Sequence, residues 1–367
     1  MRTTFCAILL AALIGCSGKA IKESEIPTLQ GVGIRSFSFL DKTRNRNLIT
    51  KVWYPTEANE GTRLSFIFDS GAIEGAAWPA AREKLPVVFL SHGSGGYAET
   101  LSWLASLLAS HGFLVIAPNH PGDTFGNTNP NGIFRKWERA RDITYIIDHL
   151  DSVPELAGRA DKARMGIAGF SMGGYAALAL GGVGFDRKSY ESYCASHASP
   201  DCRLFDGVNR AKLDSKGEQV NLADSRLRAV LALAPFGGPG AVVGKQNGVA
   251  IYIAGTLDDE ILPFEKNARH YSNLIPQSRF KEFPKGGHYA MVGPCTEKGK
   301  LFASEICADR FGVDRAKIQG ELGPEVLAFF RDSLGGKKCA LGAISSISDS
   351  SPRHCLGRAS ASESSLQ

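Results

Sequence analysis

One serine in this sequence stands in a setting that suits a nucleophile. Ser171 is the central residue of a Gly-x-Ser-x-Gly pattern at 169–173, between an apolar run at 165–168 and a helical pattern of small residues. Glycines on both sides permit the sharp turn from strand to helix that lifts a serine hydroxyl above a sheet. The pattern in this context predicts a nucleophile elbow, whereas the pattern alone would also fit a structural glycine-rich turn.

A serine hydroxyl attacks well only when a base removes its proton, so the elbow requires a histidine and an acid further along the chain. His288 follows an apolar run at 280–283 and two glycines, in a loop that can reach back over the strand ends. Asp258 and Asp259 follow the run at 249–254, just beyond a predicted strand. The order serine, aspartate, histidine is the one that accompanies this kind of elbow.

Either aspartate could orient the histidine and stabilise its charged form. A Gly-x-x-Asp count from Gly255 selects Asp258, whereas a count of four residues back from Pro263 selects Asp259. We favour Asp259, because the proline fixes the start of the next element and so the geometry just before it.

A glycine-rich segment at 93–96 follows the apolar run at 87–90. Such a loop can offer backbone N–H groups to the negative charge that develops on a reacting carbonyl oxygen. We predict that the amides of Ser94 and Met172 form this oxyanion hole. His92, which precedes the serine in the chain, is expected to orient the loop by hydrogen bonding and not to act as the base.

The elements that must position these residues can be predicted from alternating patterns. The predicted strands lie at 34–39, 48–54, 87–90, 114–117, 165–168, 230–233, 249–254 and 280–283, and helical patterns at 99–110, 137–150 and 172–180. The polar stretch 41–47 between the first two strands predicts an N-terminal antiparallel hairpin. The alternation that follows predicts a doubly wound, mainly parallel α/β sheet with helices on both faces.

Two segments interrupt this alternation. Residues 184–225 carry many charges and little apolar periodicity, which predicts a cap inserted into a domain at 31–336. The serine-rich, cysteine-containing tail at 337–367 is expected to lie outside that domain. No internal repeat is found, and no apolar run of about 18 residues follows the first 20, so the sequence predicts no membrane-spanning helix.

The first twenty residues predict export. Arg2 precedes an apolar stretch at 5–14, which is shorter than the roughly 20 residues that a membrane-spanning helix needs. Cys16 follows a small residue, as in the bacterial lipoprotein signal, in which this cysteine is lipidated and becomes the new N-terminus. We expect a signal peptide at 1–15, a linker at 16–30 and a lipid anchor in a bacterial membrane, on the periplasmic side or at the cell surface, with the outer membrane favoured. Cleavage of an ordinary signal peptide near residue 18 or 20 is the alternative.

The chain holds eight cysteines. Cys6 would leave with the signal peptide and Cys16 would carry the lipid. The other six fall into three close pairs in loop-like sequence without Cys-x-x-Cys spacing, which favours disulfides over a metal site. The predicted pairs are Cys194 with Cys202, Cys295 with Cys307, and Cys339 with Cys355.

Composition excludes other classes of function. The net charge of +5 results from 42 basic and 37 acidic residues, with no run of five basic residues, so no nucleic-acid partner is expected. A hydrophobic share of 43% allows a large core. Nothing in these residues implies a cofactor or a metal ion.

Several motifs together resemble the α/β-hydrolase family, over about residues 31–334. They are Arg44-Asn45-Arg46, Val52-Trp53-Tyr54-Pro55, His92-Gly93-Ser94-Gly95-Gly96, Ser102-Trp103-Leu104, Asn119-His120-Pro121-Gly122-Asp123, the elbow at 169–173 and Gly287-His288-Tyr289. The nearest branch is that of the predicted dienelactone-hydrolase and platelet-activating-factor-acetylhydrolase-like esterases. Dienelactone hydrolases use a cysteine nucleophile, and the serine at 171 favours ordinary carboxylic esters instead.

The motifs, the resemblance and the predicted export signal together lead us to expect an exported serine esterase that forms an acyl-enzyme intermediate through Ser171, Asp259 and His288. We expect a monomer that acts on a small-molecule ester. An amidase or peptidase with the same machinery is one alternative, and an envelope lipoprotein that binds an acyl ligand without catalysis is another. Aromatic residues beside the predicted strand ends could line an apolar acyl pocket, although a core position is favoured for Trp103. They are Tyr97, Trp103, Phe125, Phe236 and Tyr289.

Overall fold

The computed structural model describes residues 31–335 apart from 64, 81–82, 209–215, 220 and 245–247. Within these residues, nine strands form one sheet and four short strands form two further pairs. The strands are β1 (Gly31–Asp41), β2 (Arg46–Thr56), β3 (Ile73–Glu74), β4 (Leu85–Ser91), β5 (Leu114–Pro118), β6 (Asp123–Thr124), β7 (Asn127–Thr128), β8 (Ala160–Phe170), β9 (Val183–Phe185), β10 (Leu227–Leu233), β11 (Ala241–Val243), β12 (Ala250–Thr256) and β13 (Arg279–Phe283).

Helices connect these strands and cover the sheet. They are α1 (Ser102–Ser110), α2 (Pro130–Phe134), α3 (Trp137–His149), α4 (Pro154–Ala157), α5 (Met172–Leu180), α6 (Arg187–Ser196), α7 (Ala268–Leu274), α8 (Glu297–Phe302), α9 (Ser304–Cys307) and α10 (Arg315–Leu334). Short 3₁₀ helices lie at Ala98–Leu101, Leu150–Ser152, Pro200–Phe205, Lys216–Gln219, Gly238–Gly240, Phe264–Lys266 and His288–Met291.

The main sheet has the order β13-β12-β10-β8-β4-β5-β2-β1-β3. Its strands from β13 to β5 pair in parallel, whereas β2 pairs antiparallel with both β5 and β1. The predicted α/β architecture, with a mainly parallel sheet and an N-terminal hairpin, is therefore confirmed. Because the parallel strands end at one edge, the segments that follow β4, β8, β12 and β13 meet there.

The sheet is buried on both faces. Leucines of α1 and apolar residues of α10 pack on one face, and residues of α3, α5 and α7 pack on the other. All five residues of β5 are buried, which explains why this strand is a continuous apolar run in the sequence. Burial of each large aliphatic side chain contributes about 1.5–3 kcal/mol, so these two layers supply the main driving force for the fold.

Helix α10 has no counterpart among the predicted helices. It contains Gly320, Gly323 and Pro324, which are residues that disfavour a helix interior. Burial of Leu322, Val326 and other apolar residues against the sheet offsets this local cost. Tertiary packing therefore forms a helix that local propensity does not indicate.

The described part of the predicted cap packs on α5 through an apolar cluster. This cap cluster consists of Phe134, Trp137, Met172, Tyr175, Ala179, Tyr190, Phe205, Phe236 and Leu262. A disulfide between Cys194 and Cys202 joins α6 to the following 3₁₀ helix. Since Met172 directly follows Ser171, the cap and the elbow share one packing unit.

Lys136 lies inside this cluster and is only 1% exposed. Its ammonium group pairs with Glu218 of the 3₁₀ helix in the cap. Five aromatic rings lie within 6 Å of Nζ, and the nearest is Phe185 at 4.0 Å. Burial lowers the pKa of Lys136, whereas the Glu218 carboxylate acts in the opposite direction. The pair and its rings fasten the cap to the segment before α3.

The structure contains two of the three predicted disulfides, Cys194 with Cys202 and Cys295 with Cys307. Cys339 and Cys355 lie outside the described residues, as do Cys6, Cys16 and the rest of the predicted signal and linker. Across the described residues, every helix is too short or too polar to cross a membrane.

Candidate active site

Ser171 stands at the sharp turn between β8 and α5. Its backbone has φ of 56° and ψ of −117°, and a positive φ is uncommon for a residue with a side chain. Its amide donates to the Leu233 carbonyl oxygen at 2.9 Å, and its carbonyl oxygen accepts from the Phe236 amide at 3.0 Å. The end of β10 therefore holds a strained turn that has the shape of a nucleophile elbow.

The glycines of this elbow are required by close backbone contacts. A Cβ at Gly169 would lie 2.0 Å from the Gly173 carbonyl oxygen, and a Cβ at Gly173 would lie 1.9 Å from the Ser91 carbonyl oxygen. Any side chain at either position would clash with the backbone. A Cβ at Gly93 would lie 3.3 Å from the Ser171 Cβ, so the loop after β4 lies directly beside the serine.

His288 and Asp259 lie together on the loops after β13 and β12. His288 Nδ1 is 2.7 Å from Asp259 Oδ2, and both side chains are 3% exposed. The His288 ring packs on Phe170, the residue before Ser171, with ring centroids 4.7 Å apart. Asp258, the alternative acid, is partly exposed. A proton held on Nδ1 by a carboxylate leaves Nε2 as the basic nitrogen of the ring.

Glu260 holds the main chain of the histidine loop. Its Oε2 accepts the His288 amide at 2.9 Å, and its Oε1 lies 3.3 Å from Arg310 Nη1. Arg310 follows α9, which ends at Cys307 of the second disulfide. A second carboxylate and a cross-linked segment therefore fix the backbone position of His288.

Arg139 of α3 fixes the predicted oxyanion loop and is only 2% exposed. Its Nη1 donates to the His92 carbonyl oxygen at 2.5 Å, and its Nη2 donates to the Gly93 carbonyl oxygen at 3.1 Å. Its guanidinium also pairs with Asp123, whose Oδ2 is 2.6 Å from Nη2. Charge-assisted hydrogen bonds of this kind are about twice as strong as neutral ones, so this loop has a rigid support.

Asp123 connects Arg139 to Ser94, whose amide is one of the two predicted oxyanion donors. Its Oδ1 accepts from Ser94 Oγ at 2.8 Å and from the Gly95 amide at 2.9 Å. Met172 is the first residue of α5, where backbone N–H groups have no partner within the helix. The amides of Ser94 and Met172 thus belong to the two segments that flank Ser171, and their role as an oxyanion hole stays a prediction.

His92 also supports the predicted oxyanion loop after β4. Its Nδ1 donates to the Gly93 carbonyl oxygen at 2.7 Å, and its Nε2 accepts from the His120 amide at 3.3 Å. His120 Nδ1 lies 2.9 Å from Asp142 Oδ2, and its Nε2 lies 3.0 Å from Ser91 Oγ. Ser91, His120 and Asp142 have the residue types of a catalytic triad, but each is 0% exposed. No substrate can reach them, so they act as internal supports of the strand ends.

Asp142 joins this network to the N-terminal hairpin. Arg46 donates to it at 2.7 and 2.6 Å through Nε and Nη2, and Arg44 Nη1 lies 2.9 Å from its Oδ1. Burial raises the pKa of Asp142, but hydrogen bonds from His120 and Arg46 outweigh burial and hold the pKa at about 2. Arg44 in the hairpin turn and Arg46 at the start of β2 therefore neutralise this buried carboxylate.

We expect the free energy of unfolding to decrease as the pH falls from 6.5, the ordinary histidine pKa. Burial, reinforced by the charge of Arg139, lowers the pKa of His120 to about 4 and that of His92 well below 6.5. The unfolded chain then binds protons that the folded protein does not bind, so stability is lost toward acid. Asp142 also lowers the free energy of unfolding once the pH falls below 3.8, the ordinary aspartate pKa. Its pKa in the folded protein is about 2, so the unfolded chain binds a proton there that the folded protein does not bind.

Urea unfolding between about pH 7 and pH 5 measures this dependence, and uptake of roughly two protons on unfolding is expected near pH 5. His92→Gln should remove about one of these protons. The exposed His197 provides the control, because His197→Gln should leave the dependence unchanged. A free energy of unfolding that stays constant over this range would contradict the prediction.

The aromatic residues predicted to line a pocket separate into two groups. Phe236 is 0% exposed and belongs to the cap cluster, so it is a core residue. Trp103 packs against the core, as favoured, and its Nε1 donates to the Met291 carbonyl oxygen at 3.0 Å. Phe125, by contrast, is 55% exposed, and Tyr97 and Tyr289 are partly buried.

Sequence patterns did not identify Arg139, Asp123 or Glu260 as part of the site. Asp123 lies in the motif at 119–123 that follows a strand end, and this is the one signal that could have pointed to it. Arg139 carries no local signal, because its partners lie 16 to 47 residues away in the chain. Among the described residues, no group of three or more histidine, cysteine, aspartate or glutamate side chains could hold a metal ion.

Parts of the chain are similar in sequence to known proteins. A family model for chlorophyllase matches residues 76–190. Over 162 residues the chain is 26% identical to a bis(hydroxyethyl) terephthalate hydrolase of Streptomyces coelicolor, covering 43% of this chain and 41% of that protein. Over 105 residues it is 30% identical to cutinase est1 of Thermobifida alba, covering 28% of this chain and 32% of the relative. The chain therefore spans less than half the length of these two relatives.

A solved structure shares the fold over most of the chain. A ferulic acid esterase from Streptomyces cinnamoneus superposes with a TM-score of 0.53 and 21% identity, covering 86% of this chain and 94% of that chain. The parallel sheet, the strained serine elbow and this superposition together show that the chain has the α/β-hydrolase fold.

Proposed function

We propose that this protein is a serine hydrolase that cleaves carboxylic esters through an acyl-enzyme intermediate. The observation that carries the proposal is the 2.7 Å contact of His288 with Asp259 beside the strained turn at Ser171. The names of the relatives, a bis(hydroxyethyl) terephthalate hydrolase and a cutinase, support esters as the substrate class. No cofactor or metal takes part in this proposal.

In the proposed reaction, Ser171 Oγ attacks the ester carbonyl carbon while His288 Nε2 takes the hydroxyl proton. Asp259 stabilises the imidazolium that forms. The amides of Ser94 and Met172 donate hydrogen bonds to the oxyanion of the tetrahedral intermediate. His288 then gives its proton to the leaving alcohol, and a water molecule, activated by the same nitrogen, releases the acid and regenerates the serine.

A fluorophosphonate probe tests the nucleophile. We expect the probe to label the wild-type protein at residue 171, as located by peptide mass spectrometry, and to leave Ser171→Ala unlabelled. Ser110 lies at the end of α1, so Ser110→Ala is the matched control and should be labelled like the wild type. Labelling that persists in Ser171→Ala would overturn the assignment.

Two alternatives share some of these features. An amidase or peptidase would use the same groups, and rates on an ester and an amide with the same acyl group separate the two activities. A binding protein without catalysis would hydrolyse neither substrate and would not react with the probe.

We further propose that the protein is exported and carries a lipid on Cys16. The Cys194–Cys202 and Cys295–Cys307 disulfides support an oxidising compartment. Metabolic labelling with a radioactive fatty acid tests the anchor, because Cys16→Ala should lose both the label and the association with membranes. Cys6→Ala should retain both, and retention by Cys16→Ala would refute the lipid anchor.

A further inference from the structure

One surface beside the predicted oxyanion loop carries three neighbouring aromatic rings. Phe66, Tyr97 and Phe125 form this aromatic ledge, with ring centroids 6.1 Å apart for Phe66 and Phe125 and 6.2 Å apart for Tyr97 and Phe125. Phe66 is 47% exposed and Phe125 is 55% exposed. Exposed apolar rings that touch one another are unfavourable in water, which makes such a surface a candidate for binding.

Hydrogen bonds to backbone groups hold the ledge in place next to the predicted oxyanion loop after β4. Phe125 lies on the short turn between β6 and β7, and its amide donates to the Gly96 carbonyl oxygen at 2.8 Å. Tyr97 Oη accepts from the amides of Ile67 and Phe68, each at 3.2 Å. All three rings are therefore tied to the segment that carries Ser94, and binding would require little reordering.

The Phe66 side of the ledge has a second anchor. The Thr296 amide donates to the Ile67 carbonyl oxygen at 2.9 Å, and the Asp69 amide donates to the Pro294 carbonyl oxygen at 3.0 Å. Cys295, between these two partners, is disulfide-bonded to Cys307. The ledge is thus built from three chain segments and braced by a cross-link on the side of the histidine loop.

The ledge lies close to the serine. Gly93 lies beside Ser171, because a Cβ built on the glycine would be 3.3 Å from the serine Cβ. Gly96, whose carbonyl oxygen accepts the Phe125 amide, lies three positions after Gly93, and three steps along the chain span at most about 11 Å. An aromatic ring joined to an ester group by a short chain can bridge this distance.

We propose that the aromatic ledge binds an aromatic ring of the substrate and so selects aryl-containing esters over small aliphatic ones. This inference rests on the proposed ester hydrolysis and gives its substrate class. Flat rings offer offset-stacked and edge-to-face contacts, and each such pair corresponds to about two- to tenfold in affinity. The two exposed phenylalanines therefore provide selectivity of about 5- to 100-fold when both contact the ligand.

Hydrolysis by Phe66→Ala, Phe125→Ala and the double variant tests the ledge. Ethyl 4-phenylbutanoate carries the ring on the acyl side, 3-phenylpropyl acetate carries it on the alcohol side, and ethyl acetate carries none. We expect the double variant to lose about 5- to 100-fold in kcat/KM on one of the two aromatic esters and to keep its rate on ethyl acetate. The aromatic ester whose kcat/KM decreases identifies which side of the ester, acyl or alcohol, the ledge binds.

Phe302 supplies the matched control, because it is a phenylalanine with 71% exposure outside the ledge. Phe302→Ala should keep all three rates. Equal losses on ethyl acetate, no loss on either aromatic ester, or the same loss in Phe302→Ala would overturn the proposal.

A binding measurement separates failure of the ledge from failure of the proposed function. Two amides, N-ethyl-4-phenylbutanamide with the ring on the acyl side and N-(3-phenylpropyl)acetamide with the ring on the other side, are tested for binding to Ser171→Ala by ligand-observed NMR, with and without the two phenylalanine substitutions. Weaker binding of either amide in the triple variant supports the ledge even where no ester is cleaved. Equal binding of both amides overturns the ledge, whereas loss of Ser171-dependent ester hydrolysis in the wild type overturns the function alone.

Discussion

Replacing Asp259 with asparagine is expected to lower kcat for ester hydrolysis by about 10⁴-fold. Asp259 Oδ2 accepts a hydrogen bond from the N–H at His288 Nδ1, and its Oδ1 accepts hydrogen bonds from the amides of Ile261 and Leu262 at 3.0 and 2.7 Å. An asparagine can keep the two backbone bonds through its oxygen, but its NH₂ group then faces Nδ1. The ring responds by moving its proton to Nε2, which can no longer take the proton of Ser171.

Asp258→Asn is the matched control, because it removes one negative charge from the neighbouring, partly exposed position. We expect its kcat to stay close to that of the wild type, and both variants to keep similar melting temperatures. The measurement is steady-state hydrolysis of one ester across pH. A larger loss in Asp258→Asn than in Asp259→Asn would transfer the role of the acid to Asp258 and contradict the assignment.

Removal of the Arg139 guanidinium should have the second largest effect, a loss of about 10²–10³-fold in kcat with a smaller change in KM. The guanidinium holds the carbonyl oxygens of His92 and Gly93 and pairs with Asp123, which holds Ser94. Without it, the Ser94 amide, a proposed donor to the oxyanion, is no longer held in a fixed direction. Because the oxyanion forms only during the reaction, kcat falls more than substrate binding.

Arg139→Met also leaves the Asp123 carboxylate buried without its partner, which costs about 3–5 kcal/mol of stability. Activity must therefore be measured at a temperature where the variant is folded, as verified by circular dichroism. Arg139→Lys keeps the charge and should restore part of kcat. Arg141→Met is the control, since Arg141 lies on the same helix with a side chain that is 33% exposed. A folded Arg139→Met protein with wild-type kcat would show that the arginine is only structural.

The central part of the fold could be predicted because burial leaves a direct trace in the sequence. Strand β5 and residues 229–233 of β10, covered on both faces, appear as unbroken apolar runs. The strained position of Ser171 was also predictable, since only glycines fit beside it. The proximity of His288 and Asp259 follows from parallel strands that end at one edge.

The supports of the site could not be predicted in the same way. Arg139, Asp123 and His120 come from different elements, and their polar side chains are usual at the surface, so no local pattern indicates that they are buried. Phe125 and Phe236 show the same difficulty for aromatic residues. One is exposed and the other is fully buried, although both follow predicted strand ends. Burial of a single side chain depends on segments far away in the chain.

Because Lys136 is buried under the predicted cap, chemical modification of its amine can report opening of the cap. An amine-reactive reagent modifies Lys300, whose side chain is 57% exposed, without any change in conformation. Lys136 is 1% exposed and held by Glu218, so its modification has to wait until the cap separates from the segment before α3. When closing is faster than labelling, the ratio of the two rates measures the population of the open form. Labelling of this one lysine thus measures the free energy of cap opening.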